Sequence, residues 1–445
     1  MHQLKKVLKG FLSPQTILFY HRFLALFGNV LYFFPSHRMV VIGVTGTKGK
    51  TSTANFIWAA LSASSSQVGL ISTANMRIGE KETLNKYHMT MPGRFTIPKL
   101  MRQMRSAGCR FCVVEVTSEG IKQWRHAGIN FDVVVFTNLT PEHLQSHEGS
   151  FEKYRETKGK LFEGLMQSKR KSVFGREVQK IIIVNNDSPE KKYFLNFPAD
   201  KKITFGLFPG AVFTASSIDE TMKGVSFECA GAKYELAIPG RFNVANALPA
   251  LIIAKIFNVS SEAIQRGFDY LDTIPGRMER INAGQNFAVF VDYAHEKESM
   301  TGLLESAAKM RTKSIQRIIL LLGAEGGGRD KAKRGAMGEV AGKMADYIVV
   351  SNVDPYDDNP ADIADDITRS VLEFGIGKFL DKDVFVVLDR QEGIRKALSL
   401  AKPGDIVLIT GKGAEQSMIL AGGKTIPWDD RDVVRDELER LKSLQ

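Results

Sequence analysis

Cysteine is scarce in this chain of 445 residues: only Cys109, Cys112 and Cys229 occur, too few for a disulfide framework, which points to a reducing, cytoplasmic setting. Cys109 and Cys112 form a C-x-x-C, but no second pair or nearby histidine completes a metal site. Cys112 also opens an apolar strand pattern, so core packing is expected of both sulfurs rather than metal or redox use. Long hydrophobic runs are missing too. The longest uncharged apolar stretch, Phe23 to Pro35, falls short of the ~20 residues a membrane-spanning helix needs. No small-residue cleavage site precedes residue 39, which argues against a secretory signal. Fixed-period repeats, low-complexity tracts and recognised nucleic-acid modules are absent, and the basic residues are spread, so no nucleic-acid partner is expected.

What is present is a globular composition, 44% hydrophobic and 24% charged, in a chain longer than one ordinary domain. The formal charge of +11 suits an anionic partner such as a nucleotide, a phosphorylated substrate or an anionic membrane face. Residues 1–38 combine Lys5, Lys6 and Lys9 with FLSPQTILFY and FLALFGNVLYFFP. Two readings fit them: a helical pair docked on the next domain, which is favoured, or a basic amphipathic segment touching a membrane through residues 1–37.

The stretch GVTGTKGKTST, Gly43 to Thr53, reads as a phosphate-binding loop. The apolar run Met39–Val44 has the character of a buried parallel strand, and Thr53–Leu61 continues as a helix. Gly46 and Gly49 let backbone N–H groups wrap a polyphosphate at a helix N-terminus. Lys50 would meet the β- and γ-phosphates and Thr51 would hold Mg²⁺, although Val44 occupies the first glycine position of G-x-x-x-x-G-K-[ST].

Strand-like runs at 68–72, 111–117 and 131–139 alternate with helical patterns, which predicts a doubly wound, mostly parallel sheet with ligands at the carboxyl ends of its strands. From about 203 to 238 short strands and turns predict a small antiparallel layer. Helices are expected near 243–257 and 261–270. LDTIPGRMERI, Leu271 to Ile281, reads as a hinge into a second, Rossmann-like α/β domain. The expected domains are therefore a helical N-terminal segment (1–38), a central ATP-binding domain (39–274) and a C-terminal domain (275–445).

Glu115 lies inside an apolar strand, where an ionised carboxylate is costly unless paired or metal-bound; Mg²⁺ beside Thr51 is the favoured reading. His143 follows the next strand end and is a candidate ligand. Lys158, taken alone, reads as part of a solvated basic helix face. Asp292, Tyr293 and His295, and the loops GAEGGGRD and ITGKGAE, occupy strand ends of the second domain.

In combination these motifs resemble the Mur ligase family over roughly residues 39–435. GTKGKTS is similar to the family's GTNGKTT, MTMP to its T-T-P loop, EVTSEGI to EVSSHAL, and FTNLTPEHLQSH to FTNLTRDHLDYH. Tyr154 with KGKLF matches Y-x-x-x-K-x-x-L-F, which places the family's carbamylated lysine on Lys158. PGRFNVANALPA, IPGRMERI, VDYAH, GGGRDKAKRGAMG and GKGAE have counterparts in the same order.

The resemblance implies an ATP-dependent carboxylate–amine ligase, a monomer that acts on a muramoyl-peptide-like carboxylate and an amino acid. The carboxylate attacks the γ-phosphate, and an amine displaces phosphate from the acyl phosphate. Gly46, Thr47, Lys48, Gly49 and Ser52 would line the nucleotide. Lys50 and Arg277 would stabilise γ-phosphate charge, and Asn246, Asp292 and Tyr293 would position the nucleotide. Thr51 and Glu115 would hold one Mg²⁺; His143 and carbamylated Lys158 would hold a second. Thr90, Met91, Pro92, Thr117 and Ser118 would contact the carboxylate substrate, and Asp354, Tyr356 and Glu415 the amino acid. Carbamylation needs a neutral amine, and at a pKa of about 10.4 only roughly one lysine in 2,500 is neutral at pH 7.

The pattern is altered in places. Family members carry a UDP-binding domain before the loop, where about 40 residues stand here, and Glu119 replaces a substrate-contacting histidine. VDPY, Val353 to Tyr356, aligns with DNPR and lacks its arginine, which removes support for diaminopimelate; Asp354 would suit a cationic amine such as lysine. Ala414 replaces a histidine before Glu415. The alternatives are a folylpolyglutamate- or cyanophycin-type ligase, or a nucleotide-binding scaffold.

Overall fold

The computed structural model describes residues 14–443 apart from 65, 88, 143, 174, 314 and 329. Its chain divides into two compact units, 1–216 with 229–232 and 245–270, and 217–228 with 233–244 and 271–445.

The first unit opens with helix α1 (Pro14–Leu31) and a 3₁₀ turn (Pro35–Arg38). Next come β1 (Val40–Thr45), α2 (Lys50–Ser62), β2 (Val68–Ile71), β3 (Asn75–Ile78), β4 (Lys81–Leu84), α3 (Thr96–Ser106) and β5 (Phe111–Glu115). The short α4 (Ser118–Lys122), β6 (Val133–Phe136), α5 (Phe151–Gln167) and a small hairpin of β7 (Ser172–Val173) and β8 (Arg176–Glu177) follow. The series continues with β9 (Ile181–Asn185), α6 (Lys191–Leu195), β10 (Lys201–Gly206) and β11 (Phe213–Thr214).

These strands build one sheet in the order β11-β10-β9-β6-β1-β5-β2-β3-β4. It is parallel from β11 to β2 and antiparallel only at the β2-β3-β4 edge. β1 is fully buried and flanked by β5 and β6, so the chain leaves it on either side. The loop after β1 therefore opens at the point where the strand order reverses, the usual ligand crevice of such sheets.

The antiparallel layer predicted for 203–238 begins later than expected. β10 runs parallel to β9, with Ile203 opposite Ile183, and β11 parallels β10. β9 and the crossover through α6 precede β10, and this crossover is what makes a parallel pairing possible. Only β12 (Ser216–Thr221), β13 (Gly224–Cys229) and β14 (Ala232–Leu236) form a separate three-stranded sheet. Their two-residue connections require antiparallel neighbours.

The core under the large sheet joins Val114, Phe136, Tyr154, Phe162 and Phe194, with the rings of Phe136 and Phe194 3.8 Å apart. Cys109 and Cys112 are buried free thiols in this core, and Cys112 Sγ lies 3.6 Å from Met104 Sδ. Burial pushes both thiols up, against reactivity. Asp132 anchors the start of β1: it accepts from Val41 N at 2.9 Å, Lys171 Nζ at 2.5 Å and Lys180 Nζ at 3.0 Å, all buried.

Helices α7 (Arg241–Ile256) and α8 (Ser261–Tyr270) follow β14, and α8 packs on α2 through Phe268 and Phe56. The second unit then carries β15 (Glu279–Ile281), β16 (Ala288–Asp292), α9 (Lys297–Met310), β17 (Ile318–Leu322), α10 (Ala332–Met344) and β18 (Tyr347–Val350). After these come α11 (Pro360–Phe374), β19 (Val384–Val386), α12 (Arg390–Ser399) and β20 (Ile406–Thr410). A hairpin of β21 (Ser417–Ile419) and β22 (Thr425–Pro427) and helix α13 (Asp430–Ser443) close the chain. Its sheet order is β15-β16-β20-β17-β18-β19, parallel except for β15. This is the second α/β layer that the alternating runs predict.

Residues 1–13 lie outside the described residues. Of the expected helical pair, α1 is present, and its narrow side rests on the first unit: Asn29 donates to the Ala127 carbonyl at 3.1 Å. A Cβ on Gly28 would come within 2.8 Å of the Arg94 carbonyl oxygen, so only glycine permits that approach. Among the described residues no helix is long and apolar enough to cross a membrane.

Candidate active site

The β1–α2 loop takes its shape from two glycines. Gly49 sits at φ +76° as the residue before α2, and Gly46 at φ +149°. A Cβ on Gly46 would fall 2.0 Å from Thr137 Oγ1, and one on Gly49 2.1 Å from Asn246 Oδ1. Both positions demand a residue with no side chain. The β6 end holds the loop from outside: Asn138 Oδ1 accepts from Lys48 N at 2.8 Å, the Asn138 carbonyl accepts from Thr47 N at 2.9 Å, and Thr137 Oγ1 donates to the Lys48 carbonyl at 2.7 Å. Thr137 and Asn138 were not singled out from sequence, because their role depends on β1 and β6 being neighbours.

Lys50 Nζ folds back on the loop to the Thr47 carbonyl at 2.7 Å, and Ser52 is buried in the first turn of α2. Lys48 pairs with buried Glu142 at 2.6 Å, a carboxylate the sequence reading left unassigned. Thr51 Oγ1 donates to Glu115 Oε2 at 3.0 Å. Glu115 is 2% exposed, and Thr73 completes its shell through its N–H at 2.8 Å and its hydroxyl at 3.0 Å. All three donors are neutral. This oxygen-rich pocket around a buried carboxyl fits a hard divalent cation.

Lys158 departs most from the solvated face that the sequence pattern predicts. Tyr154, Lys158, Leu161, Phe162 and Leu165 share the buried stripe of α5, whose N-terminus is capped by Ser150 accepting from Lys153 N. Lys158 is 1% exposed, its Nζ donates to the Gly46 carbonyl at 2.8 Å, and it lies 4.6 Å from the centre of the Tyr154 ring. Burial, then the neighbouring Lys50 charge, pushes its amine well below the usual lysine range, against the opposing pull of Glu142 and Glu115. Tyr154 meets Thr47 Oγ1 at 3.2 Å and packs its ring 5.0 Å from that of His147. His143 lies outside the described residues.

The predicted carboxylate-substrate residues are distributed unevenly. Thr90 Oγ1 is 2.7 Å from Thr73 Oγ1 and so borders the Glu115 shell. Met91 and Pro92 are buried, the Met91 carbonyl accepting from Arg125 at 2.5 Å. Thr117 is engaged as the cap of α4, accepting from Gly120 N at 3.1 Å, and Ser118 is buried behind it.

In the second unit Arg277 lies 4.5 Å over the Tyr293 ring and donates to the Gly276 carbonyl at 3.0 Å. Asp292 accepts from Met278 N and Ala294 N, both at 2.7 Å; desolvation still holds its carboxyl above the usual range. Asp354 does not offer the free carboxylate expected for an ammonium group. Its oxygens accept from fully buried Lys412 at 2.9 and 3.0 Å, and Ile419 N donates to it at 2.8 Å. Lys412 also pairs with Glu415 at 2.6 Å, and Tyr293 OH donates to Glu415 at 3.2 Å. Burial works against the Lys412 charge, but Glu415 and Asp354 outweigh it and raise the amine above the usual lysine range. Burial, against the opposing pull of Lys412, holds the Glu415 carboxyl above the usual carboxylate range, with Asp354 and Glu325 adding to the shift. The Tyr356 ring lies against Gly327, whose added Cβ would be 2.7 Å from Tyr356 Cγ.

A glycine loop between a central parallel strand and a helix, with a carboxylate on the adjacent strand meeting the loop's threonine, defines a nucleotide-binding α/β enzyme. Comparison with known proteins narrows this class: the Mur ligase middle domain matches residues 44–254, and the Mur ligase glutamate ligase domain matches residues 276–413. The chain belongs to the Mur ligase family, the ATP-dependent carboxylate–amine ligases of peptidoglycan precursor synthesis. It is 36% identical over 426 residues to a UDP-N-acetylmuramyl-tripeptide synthetase of Roseiflexus sp. (strain RS-1), covering 94% of this chain and 82% of that one. It is 33% identical over 418 residues to a UDP-N-acetylmuramoyl-L-alanyl-D-glutamate–2,6-diaminopimelate ligase of Geobacillus kaustophilus, covering 93% and 82%. A solved ligase of the latter name superposes with TM-score 0.59 at 25% identity, covering 91% of this chain and 79% of that one. The folylpolyglutamate synthase of Mycobacterium tuberculosis, complexed with ADP, shares the fold at TM-score 0.68 and 18% identity, covering 99% and 97%.

Proposed function

We propose that the chain uses ATP to activate a carboxylate of a muramoyl-peptide-like precursor and joins it to the amine of an amino acid. The observation that carries this reading is the buried Lys158 amine, 2.8 Å from the Gly46 carbonyl of the phosphate loop and held well below the usual lysine range. A neutral amine is what carbamylation requires, and the resulting carbamate would, with His143, hold a second Mg²⁺ besides the one at Thr51 and Glu115. Bound Mg²⁺ would neutralise charge on the transferring phosphoryl group.

The chain's own residues then have distinct tasks. Gly46 and Gly49 let the loop wrap the phosphates, Thr47 and Lys48 hold it against Asn138 through their N–H groups, Lys50 swings from the Thr47 carbonyl onto the phosphates, and Ser52 and Asn246 shape the loop. Arg277, Asp292 and Tyr293 are assigned to the nucleotide, and Thr90 with Thr117 to the carboxylate substrate. Asp354, Tyr356 and Glu415 are assigned to the amino acid, and the acidic pair Asp354 and Glu415 suits a cationic amine such as lysine, although Lys412 already engages both carboxyls. The names of the relatives support a muramoyl-peptide substrate, and the break between the two family matches supports a domain boundary near Pro275. We place the reaction in the cytoplasm, in keeping with three free cysteines.

The test is phosphate release from ATP with UDP-muramoyl-dipeptide or pteroylglutamate, each crossed with lysine, diaminopimelate and glutamate. Release with the muramoyl substrate and lysine is expected. Release only with pteroylglutamate would move the assignment to a folate ligase, and no release with any pair would leave a nucleotide-binding scaffold.

A further inference from the structure

Helix α1 is built opposite to an ordinary surface helix. Its docked stripe is small, with Ala25, Gly28 and Asn29 buried, while its solvent side is apolar: Phe19, Tyr20, Phe23, Leu26, Phe27 and Val30 are all exposed, Phe19 at 73%. The apolar surface continues past the helix into Phe33, also 73% exposed, and Phe34. A contiguous patch of this kind on a chain surface marks an interaction site rather than chance exposure.

Beside the aromatic end lies a group of cations. Phe33 and Phe34 share an open cavity of about 600 Å³ with His37, Arg38, Arg102, Arg105 and Lys169, and among the described residues no carboxylate lines it. The Arg102 guanidinium sits 5.9 Å from the Phe33 ring. Burial and the adjacent Arg38 and Arg102 charges lower the proton affinity of Arg105, as expected for cations that crowd one another. An apolar helix face lying flat, bordered by unneutralised arginines, is complementary to a surface that is apolar within and anionic at its rim.

We infer that the exposed face of α1, with the Arg38–Arg102–Arg105 cavity, docks the enzyme on the surface of an anionic lipid bilayer. The aromatic side chains enter the headgroup and acyl boundary while the cavity takes lipid phosphates. The helix lies in the plane of the membrane and does not cross it. This goes beyond the ligase reaction and does not depend on which amino acid is joined.

The experiment is co-sedimentation of the full chain with vesicles of phosphatidylcholine alone or mixed with phosphatidylglycerol, with analytical ultracentrifugation in parallel. The expected result is binding to the mixed vesicles that weakens with added salt. Arg102→Glu with Arg105→Glu should weaken it at least about tenfold, and Phe19→Ser with Phe23→Ser should weaken it comparably. Both double variants should keep ATP-dependent phosphate release with soluble substrates, which also reports that they fold. Equal binding to both vesicle types, or binding to neither, overturns the inference. So does a concentration-dependent dimer that Phe19→Ser with Phe23→Ser dissolves, because the face would then be an interface between two copies of the chain.

Discussion

Lys158 and Gly46 are joined by a hydrogen bond of 2.8 Å from a buried side-chain nitrogen to a phosphate-loop carbonyl, across 112 positions of sequence. Burial there costs a charged lysine its hydration, and among the described residues no ion pair to Lys158 replaces it, so its proton is held less tightly than on a solvated lysine.

Lys158→Ala should abolish ligation, a fall of at least about 10³ in turnover, because an anionic metal ligand is lost. Short carboxylic acids added to the variant should restore part of the rate by occupying the vacated volume. The measurement is phosphate release against acetate or propionate concentration. Full activity without rescue would refute the carbamate role.

Glu115→Gln should raise the Mg²⁺ concentration for half-maximal rate about 10–100-fold. Its amide NH₂ would also face the Thr73 N–H, costing about 1–3 kcal/mol in a urea titration. A variant that loses this stability but keeps the parent Mg²⁺ requirement would remove Glu115 from the metal.

His147 makes stability depend on acid. Burial, reinforced by Lys122 and Lys158 and opposed by Glu119, lowers its pKa to about 4, whereas an unfolded histidine titrates near pH 6.5, roughly. Between about pH 6.5 and about pH 4 the unfolded chain binds a proton that the folded chain refuses, so stability falls as the pH drops through that window. His147→Gln should flatten this acid limb by about 1 kcal/mol. Urea midpoints at pH 7 and pH 5 check it; an unchanged slope would show that other groups carry the acid sensitivity.

The legible part of the site was the part encoded locally. Gly46, Gly49, Lys50 and Thr51 are neighbours in sequence, and a strand–loop–helix junction can be recognised from backbone requirements alone. Glu115 could be flagged because a carboxylate inside an apolar strand needs an explanation. Thr73, Thr137 and Asn138 carried no such mark, since a threonine or asparagine in a loop is ordinary until a neighbouring strand brings its target to it. The strands at 201–206 and 213–214 were placed in the wrong layer for a related reason: a short strand's partner depends on the crossover before it.

Lys158 and Lys412 illustrate the same division. By spacing, Lys158 falls on the stripe of Tyr154, Leu161 and Leu165, but a lysine there can reach outward along its flexible stem, so periodicity did not predict burial. Lys412 was invisible in a glycine-rich loop until Asp354 and Glu415 were seen to close on it. The sequence by itself determined the glycine loop and the succession of α/β layers, because these follow from local backbone geometry and hydrophobic period. The tertiary structure alone decided which charges are desolvated, which carboxylates are already paired and which apolar helix face stays uncovered, because each depends on contacts between segments far apart in the chain.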